Sequence, residues 1–318
     1  MSVNKTKQEV QEARRESPSG YHFYCLYHQC PFKWALKYVY GLLPVFTSVP
    51  LIKGGIVHDA TEVYFTNNWD IKAATDSIKE GFAERTPEFA DKSLIPDLRN
   101  DAILMLKEWD NQFGYEKDLY KVVEVEKEHT FKIGPNKDFI FTVRMDRVMV
   151  SKETRFLEVR DTKTTGYSIG KSFQGADQED QMTAYLWAAE KLWPKVVTKM
   201  VYLDILYKRG KVVKTERCGP IYRDKWDLGR FELELYGLIN EVSQKYLALE
   251  SLPLPVLFPR CGLVCSVFDC EYKDICRTPL KLGKKVIGFK HDPWVNLEND
   301  LIKAQESFNI ELIKEKIN

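Results

Sequence analysis

The sequence predicts an α/β protein: a mixed β-sheet flanked by helices, with an N-terminal helical cap and a C-terminal cysteine-rich segment. Three observations lead there. Apolar residues recur at helical spacing through much of 55–112. From about Tyr120 the texture changes to runs in which apolar and charged residues alternate, as in half-buried strands. Beyond Pro253, Pro255 and Pro259 both patterns stop, and Cys265, Cys270 and Cys276 follow in close succession.

These shifts divide the chain into a flexible N-terminus (1–16), a helical cap (17–118), a core (119–250), a cysteine-rich segment (251–290) and a C-terminal helical tail (291–318). Residues 1–16 are mostly Lys, Glu, Gln and Arg and have no apolar face to anchor them. Ser17-Pro18-Ser19-Gly20 reads as a turn. Tyr21 to Leu43 is dense in aromatic residues and is expected to be helical after Pro31, because proline tolerates a helix's first turn. The next helix carries His58 and Glu62, one turn apart on one face. Asp70–Phe82 and Ile95–Phe113 also show helical spacing.

Strands are expected at Val122–Phe131, Asp138–Val150 and Thr154–Lys163, separated by turns at Gly134–Lys137 and around Ser151-Lys152. Asp180–Leu192 reads as a helix that stops before Pro194. Val197–Leu206 is a β-branched and aromatic run suited to a buried strand. Lys208–Lys211 turns it into a returning strand, Val212–Arg217, and Lys225–Glu250 is a long amphipathic helix.

With 318 residues, a length prior suggests about two domain-sized units. A net charge of +1 neither announces a nucleic-acid partner nor excludes one, since acids elsewhere can balance a local basic groove. No apolar run reaches the roughly 18 residues of a membrane span, and no apolar signal core opens the chain. A cytoplasmic, non-membrane protein is expected. Seven cysteines, an odd count without secretory features, argue against a disulfide framework and for metal or cluster binding or simple core use.

The chemistry concentrates in two strand-like runs. Arg144-Met145-Asp146-Arg147-Val148 sets an aspartate among apolar residues, and Leu157–Lys163 ends in Asp161-Thr162-Lys163. Two carboxylates on neighbouring strands can hold a hard divalent cation. A lysine beside them can orient a water and offset charge developing on a phosphate. This is the minimal equipment of metal-dependent phosphodiester hydrolysis. His58 is a candidate metal ligand or a core histidine, and Glu62 a candidate acceptor for it or a solvated charge. Gln181 and Tyr185 share a helix face and suit a phosphate or a water near the metal. Glu126 and Glu128 are equal candidates for a further acid. Arg144, on the side of Asp146, is a candidate phosphate contact or ion-pair partner.

Gly54-Gly55-Ile56-Val57-His58, Asp146, Asp161-Thr162-Lys163, Gln181-Met182-Thr183-Ala184-Tyr185 and the outer cysteines occur in an order that resembles the PD-(D/E)XK nuclease superfamily. Within it they resemble the RecB/AddB-like iron–sulfur branch, which includes CRISPR-associated RecB-like exonucleases. The resemblance spans roughly residues 17 to 280. It implies a restriction-endonuclease-like sheet and a nuclease core at 119–250. It also implies Mg²⁺ or Mn²⁺ held by His58, Asp146, Asp161 and the Thr162 carbonyl, with Lys163, Gln181 and Tyr185 completing the catalytic set. Cys30, Cys265, Cys270 and Cys276 would hold a structural [4Fe–4S] cluster.

The sequence departs from the branch in lacking a close Cys-x-x-Cys and in carrying an extra Cys261, so a local site of Cys261, Cys265, Cys270 and Cys276, filled by zinc, stays open. Cys25 and Cys218 read as core residues. The implied activity is that of a DNA exonuclease acting on ends or single strands in repair, recombination or phage replication. DNA is the implied partner, and recombination, replication or CRISPR-adaptation proteins are candidate partners. The alternative is a catalytically inactive nucleic-acid-binding or scaffold subunit that keeps the fold. The aromatic residues Tyr21, Phe23, Tyr24, Tyr27, Phe32 and Trp34 would either stack unpaired bases or fill the cap's own core.

Overall fold

The structure is a computed structural model that describes residues 20–134, 139–166, 169–176, 180–262, 265, 270–276 and 289–291. The expected tail helix and most of the Ser17–Gly20 and Gly134–Lys137 turns lie outside the described residues. Two compact units divide the chain. One comprises Met1–Pro44, Thr130–Thr142 and Glu232–Asn318, the other Val45–His129 and Val143–Phe231.

In the first unit, helices α1 (Tyr21–Gln29) and α2 (Pro31–Tyr38) meet at Cys30. The helix expected to begin at Pro31 is therefore preceded by another, whose backbone breaks at Cys30, where the chain is extended. The preference of a residue before proline for extended backbone accounts for the break. Phe23, Tyr24, Tyr27, Phe32 and Trp34 are buried. Trp34 stacks on Phe258 with ring centroids 5.3 Å apart. These aromatics form the unit's own core, so the base-stacking role for them falls. Tyr27 donates to Glu241 Oε1 at 2.8 Å from helix α8 (Lys225–Leu247), so the ring is buried while its hydroxyl stays satisfied. A small antiparallel pair, β1 (Leu42–Pro44) with β7 (Phe289–His291), was not legible as strands.

In the second unit, helices α3 (Val49–Thr66), α4 (Ile71–Glu84) and α5 (Ile95–Phe113) share one apolar core, built on Ile56, Tyr64, Ile78, Phe82, Met105 and Trp109 and reaching Leu206. Asp70 caps α4 by accepting from the backbone N–H groups of Lys72 (2.8 Å) and Ala73 (3.1 Å), which satisfies donors no helical carbonyl can reach.

A five-stranded sheet runs in the order β2 (Tyr120–Ile133), β3 (Phe139–Ser151), β4 (Leu157–Thr165), β5 (Lys199–Arg209) and β6 (Val212–Ile221). It is mixed: β3–β4 and β5–β6 are antiparallel and β4–β5 is parallel. The parallel pair requires a crossover, which carries α6 (Ile169–Ala176) and α7 (Asp180–Leu192). Only the second of these two helices was expected from sequence. The expected Lys225–Glu250 helix ends its α-helical course at Leu247 and finishes in a 3₁₀ turn, Ala248–Glu250. Among the described residues no helix is long and apolar enough to cross a membrane.

Candidate metal centre

The site is built within the second unit from α3, β2, β3, β4 and α7. Gly54 and Gly55 lie on α3 one turn before the site. A Cβ on Gly54 would lie 3.6 Å from Thr164 Oγ1 of β4, and one on Gly55 would come 2.6 Å from Arg85 Nη1. The helix thus lies in ordinary packing contact with the strand at Gly54, and one turn later it delivers His58.

His58 Nδ1 lies 3.2 Å from Asp146 Oδ2 and 3.3 Å from Glu126 Oε1. The ligand atoms of these three residues are all within 4.8 Å of one another. Adjacent ligands on an octahedral ion with bonds of about 2.1 Å are about 3.0 Å apart, so the observed spacings suit one hard cation. Glu126 sits in β2 with a left-handed backbone (φ 47°), an irregularity that costs about 1 kcal/mol or more in a non-glycine residue. Alternation along β2 could not separate Glu126 from Glu128. The left-handed residue re-aims the strand locally, and Glu126 joins the group while Glu128 accepts from Arg144 (3.3 Å).

The registered partners of β3 and β4 run only to Arg147↔Arg160. Past that point the backbone N–H of Thr162 donates to Asp146 Oδ2 at 2.7 Å. A side chain thus takes a ladder donor, which locks Asp146 beside β4. Alternation on β4 puts Asp161 and Lys163 on one face and Thr162 on the other. Asp161 Oδ1 accepts from Tyr185 (3.0 Å), and Lys163 Nζ donates to Gln181 Oε1 (3.0 Å). Gln181 Nε2 donates to Tyr185 at 2.7 Å. Gln181 and Tyr185, one turn apart on α7, therefore grip Asp161 and Lys163. Asp161 Oδ2 is buried with no well-directed hydrogen bond, although Lys163 Nζ is 3.0 Å away. The Lys163 ammonium thus supplies the countercharge for this buried oxygen.

The electrostatics follow from three carboxylates and an imidazole in one small volume. Burial works against a charged His58, but Asp146 and Glu126 outweigh it and push its pKa up to about 9. Burial, with Asp161 and Glu126 adding to it and His58 opposing, raises the Asp146 carboxyl to about 7. Burial and the Asp161, Asp146 and Glu126 charges push the Tyr185 phenol well above its ordinary value, so it remains a donor to Asp161. Without a metal, the His58 imidazolium takes the cation's place.

Of the expected site residues, His58 and Asp146 meet directly. Asp161, Lys163, Gln181 and Tyr185 form a contiguous hydrogen-bonded set beside them, and Thr162 joins through its N–H. Asp161 is not one of the three residues gathered within 4.8 Å, and Glu126 is. Glu62 is exposed, and the acceptors nearest His58 are Glu126 and Asp146.

The opposite face of the sheet holds a feature that sequence patterning missed. Arg147 is fully buried and donates to Thr162 Oγ1 (2.6 Å) and to the buried Asp204. Thr162 and Asp204 are registered partners on β4 and β5. Trp109 and Arg217 also donate to Asp204, and Arg217 and Arg160 converge on Glu116. Burial alone would raise the Asp204 carboxyl, but Arg147 and Arg217 hold it down to about 2. The metal-side position of Thr162 is thus clamped from behind by a paired buried charge. Arg147 and Asp204, charged residues within the largely apolar runs of β3 and β5, were the available signal.

The cysteines lie in the first unit. Cys30 is buried at the start of α2, where its thiol accepts from the Lys33 N–H at 3.5 Å. Three contacts tie the cysteine-rich segment to α2 and β1. They are Phe32 N to Pro259 O (3.3 Å), Lys33 to Glu271 (2.9 Å), and Tyr272 to the Leu42 carbonyl (2.7 Å). Burial raises the Cys276 thiol, Arg260 opposes, and the Cys265 and Cys30 thiols add to the rise. Burial likewise raises Cys270, with a smaller push from Cys265. Among the described residues, no three cysteine sulfurs come within mutual ligand distance; the one such group is His58, Glu126 and Asp146.

The family model of the PD-(D/E)XK nuclease superfamily matches residues 17–277. Comparison with curated protein sequences gives no significant match. Among solved structures, one described as "Crystal structure of SSO0001" is similar over 77% of this chain and 91% of its own. Its identity is 13% and its TM-score 0.32, too low to carry an argument.

Proposed function

This chain belongs to the PD-(D/E)XK nuclease superfamily, and from that membership and the site geometry we propose that it is a Mg²⁺- or Mn²⁺-dependent deoxyribonuclease. The observation that carries the reading is the group of His58, Glu126 and Asp146, spaced for one hard cation. In this reading His58, Asp146, Asp161 and the Thr162 carbonyl hold the ion, as the family resemblance implies, and Glu126 joins them. A bound divalent ion supplies positive charge to the phosphodiester oxygens and makes a nearby water more acidic. The Lys163 ammonium orients that water and offsets charge developing on the phosphate. Gln181 fixes the lysine, and Tyr185 fixes Asp161, so neither must reorganise during the reaction. The preferred substrates are DNA ends or single strands, in keeping with the RecB/AddB-like branch that the motifs resemble.

The same reading gives Cys30, Cys265, Cys270 and Cys276 a structural [4Fe–4S] cluster that fastens the cysteine-rich segment to α2. Its support is the three contacts between the segments that carry these thiols.

End-labelled single- and double-stranded DNA incubated with Mn²⁺ tests the activity. Wild-type protein cleaves, whereas Asp161→Ala and Lys163→Ala lose cleavage with an unchanged circular-dichroism spectrum. Undiminished cleavage by either variant sinks the assignment.

A further inference from the structure

Within the second unit, a cavity of about 410 Å³ opens where β2 begins and β3 ends. Its lining includes four cations, Lys117, Lys121, Lys152 and Arg155, and no carboxylate residue. Asp118 and Glu153 are close in sequence but are not part of the wall. Lys152 spends its ammonium on the carbonyls of Lys117 and Asp118 (both 3.0 Å), which fixes this loop. Among the described residues, no acid pairs with Lys117, Lys121 or Arg155, and all three are exposed. Unneutralised cations around a concave site concentrate field on whatever anion enters it.

The other wall is aromatic: Phe65, Trp69 and Tyr120. Tyr120 is committed to Glu158 (3.0 Å), and Phe65 is buried, but Trp69 is only half-buried. The backbone here is unusual. Asn68 (φ 57°) and Trp69 (φ 65°) are consecutive left-handed residues after α3, and Arg155 (φ 61°) is a third. Three of the four left-handed non-glycine residues in the described chain thus line this one cavity. Asparagine accepts that conformation readily, but a tryptophan there costs about 1–2 kcal/mol that glycine would avoid. Packing against Phe65, with ring centroids 4.8 Å apart, and against the apolar core holds the indole beside the cations. A half-buried aromatic face next to unpaired cations matches a ligand with a π-face and a phosphate, which is to say a nucleotide.

The cavity is also reached by the two elements that build the metal centre. Val150 is four residues beyond Asp146 on β3, about 13 Å at the strand rise. Phe65 is seven residues beyond His58 on α3, about 10 Å at the helical rise. That separation is up to about four nucleotide steps at the duplex rise of 3.4 Å.

We propose that this cavity binds one nucleotide unit, its base against Trp69 and its phosphate against Lys121, Arg155 and Lys117, as a subsite for the substrate strand away from the metal centre. The substrate identity rests on the nuclease reading, while the nucleotide chemistry stands on the cavity alone. The test measures binding, in EDTA, so that cleavage plays no part.

A fluorescein-labelled 12-nucleotide single strand is titrated against wild-type protein and the double variant Lys121→Gln, Arg155→Gln over a range of salt. Affinity should fall about tenfold or more. The slope of log K against log salt should become shallower by about 1.4, two contacts at 0.7 each. Trp69→Gly, which removes the ring and relaxes the backbone, should lose affinity with no change in that slope.

Calorimetric titration with dAMP separates the sources. If dAMP binds wild type but not the double variant while 12-mer affinity is unchanged, the pocket takes a free nucleotide, and the strand assignment is overturned. If neither ligand distinguishes the proteins, or if the control pair Lys92→Gln, Lys107→Gln reproduces the change, the site is refuted. A wild type that binds as expected but never cleaves with Mn²⁺ refutes the nuclease reading and leaves the pocket standing.

Discussion

If His58 and Asp146 hold a divalent ion, binding must expel the protons they carry without it. His58 is raised to about 9 and Asp146 to about 7. At pH 8, His58 is about nine-tenths protonated and Asp146 about one-tenth, so Mn²⁺ should release about one proton. At pH 6 both are largely protonated, and release should approach about two. Apparent metal affinity should therefore rise about tenfold per pH unit between pH 7 and 9, and more steeply below pH 7. Calorimetric titration of Mn²⁺ in buffers of different ionisation enthalpy reads the proton count directly. In His58→Gln the imidazole proton is gone, but losing its positive charge lets the Asp146 carboxyl rise further, so release at pH 8 should fall by less than one proton. Tight binding by the wild type at pH 8 with no proton released would refute His58 as a ligand. Unchanged release by the variant would assign the proton to another group. The same shifts set the stability of the metal-free protein. The folded state binds more protons than the unfolded state, so stability is greatest at low pH on this account. It is lost progressively as pH rises through about 7 and then about 9.

Other outcomes follow from the neighbouring geometry. Thr162→Val leaves a buried Arg147 N–H without its acceptor and should cost about 1–3 kcal/mol in urea unfolding, while Thr162→Ser should be close to wild type. Asp204→Asn leaves Arg147 and Arg217 without their shared counter-charge and should cost about 3–5 kcal/mol. The wild-type contribution of Asp204 is present above the ordinary aspartate range and should fade as pH falls towards 2. Protein purified without oxygen should be brown with absorbance near roughly 400 nm, and Cys30→Ser should lose the colour. Colourless protein with stoichiometric zinc would assign the thiols to that metal.

The order of strands and helices was legible because it depends on local pattern. Alternation gave β2, a largely apolar run gave β3, the Asp161-Thr162-Lys163 strand ended within two residues of its expected limit, and Asp180–Leu192 formed as read. The elements that escaped are short or lack a pattern of their own. β1 and β7 have three residues each, and α6 spans eight residues inside a crossover. The core role of the N-terminal aromatics was open in sequence, because burial depends on what lies opposite. Trp34 met Phe258, more than two hundred residues away.

By itself the sequence determined which chemistry was available: His58, Asp146, Asp161, Lys163, Gln181 and Tyr185, in the order of one nuclease superfamily. Only the tertiary structure decided that Glu126 rather than Glu128 completes the cation group, because one left-handed residue re-aims a strand that alternation treats as regular. It also decided that Arg147 and Asp204 clamp the site from behind, and that Lys117, Lys121 and Lys152, from a 3₁₀ turn, a strand and a loop, line one cavity. Such groupings depend on strands and loops distant in sequence being brought within a few ångströms. Local periodicity carries no information about that distance, whereas the energies of charge pairing depend on it directly.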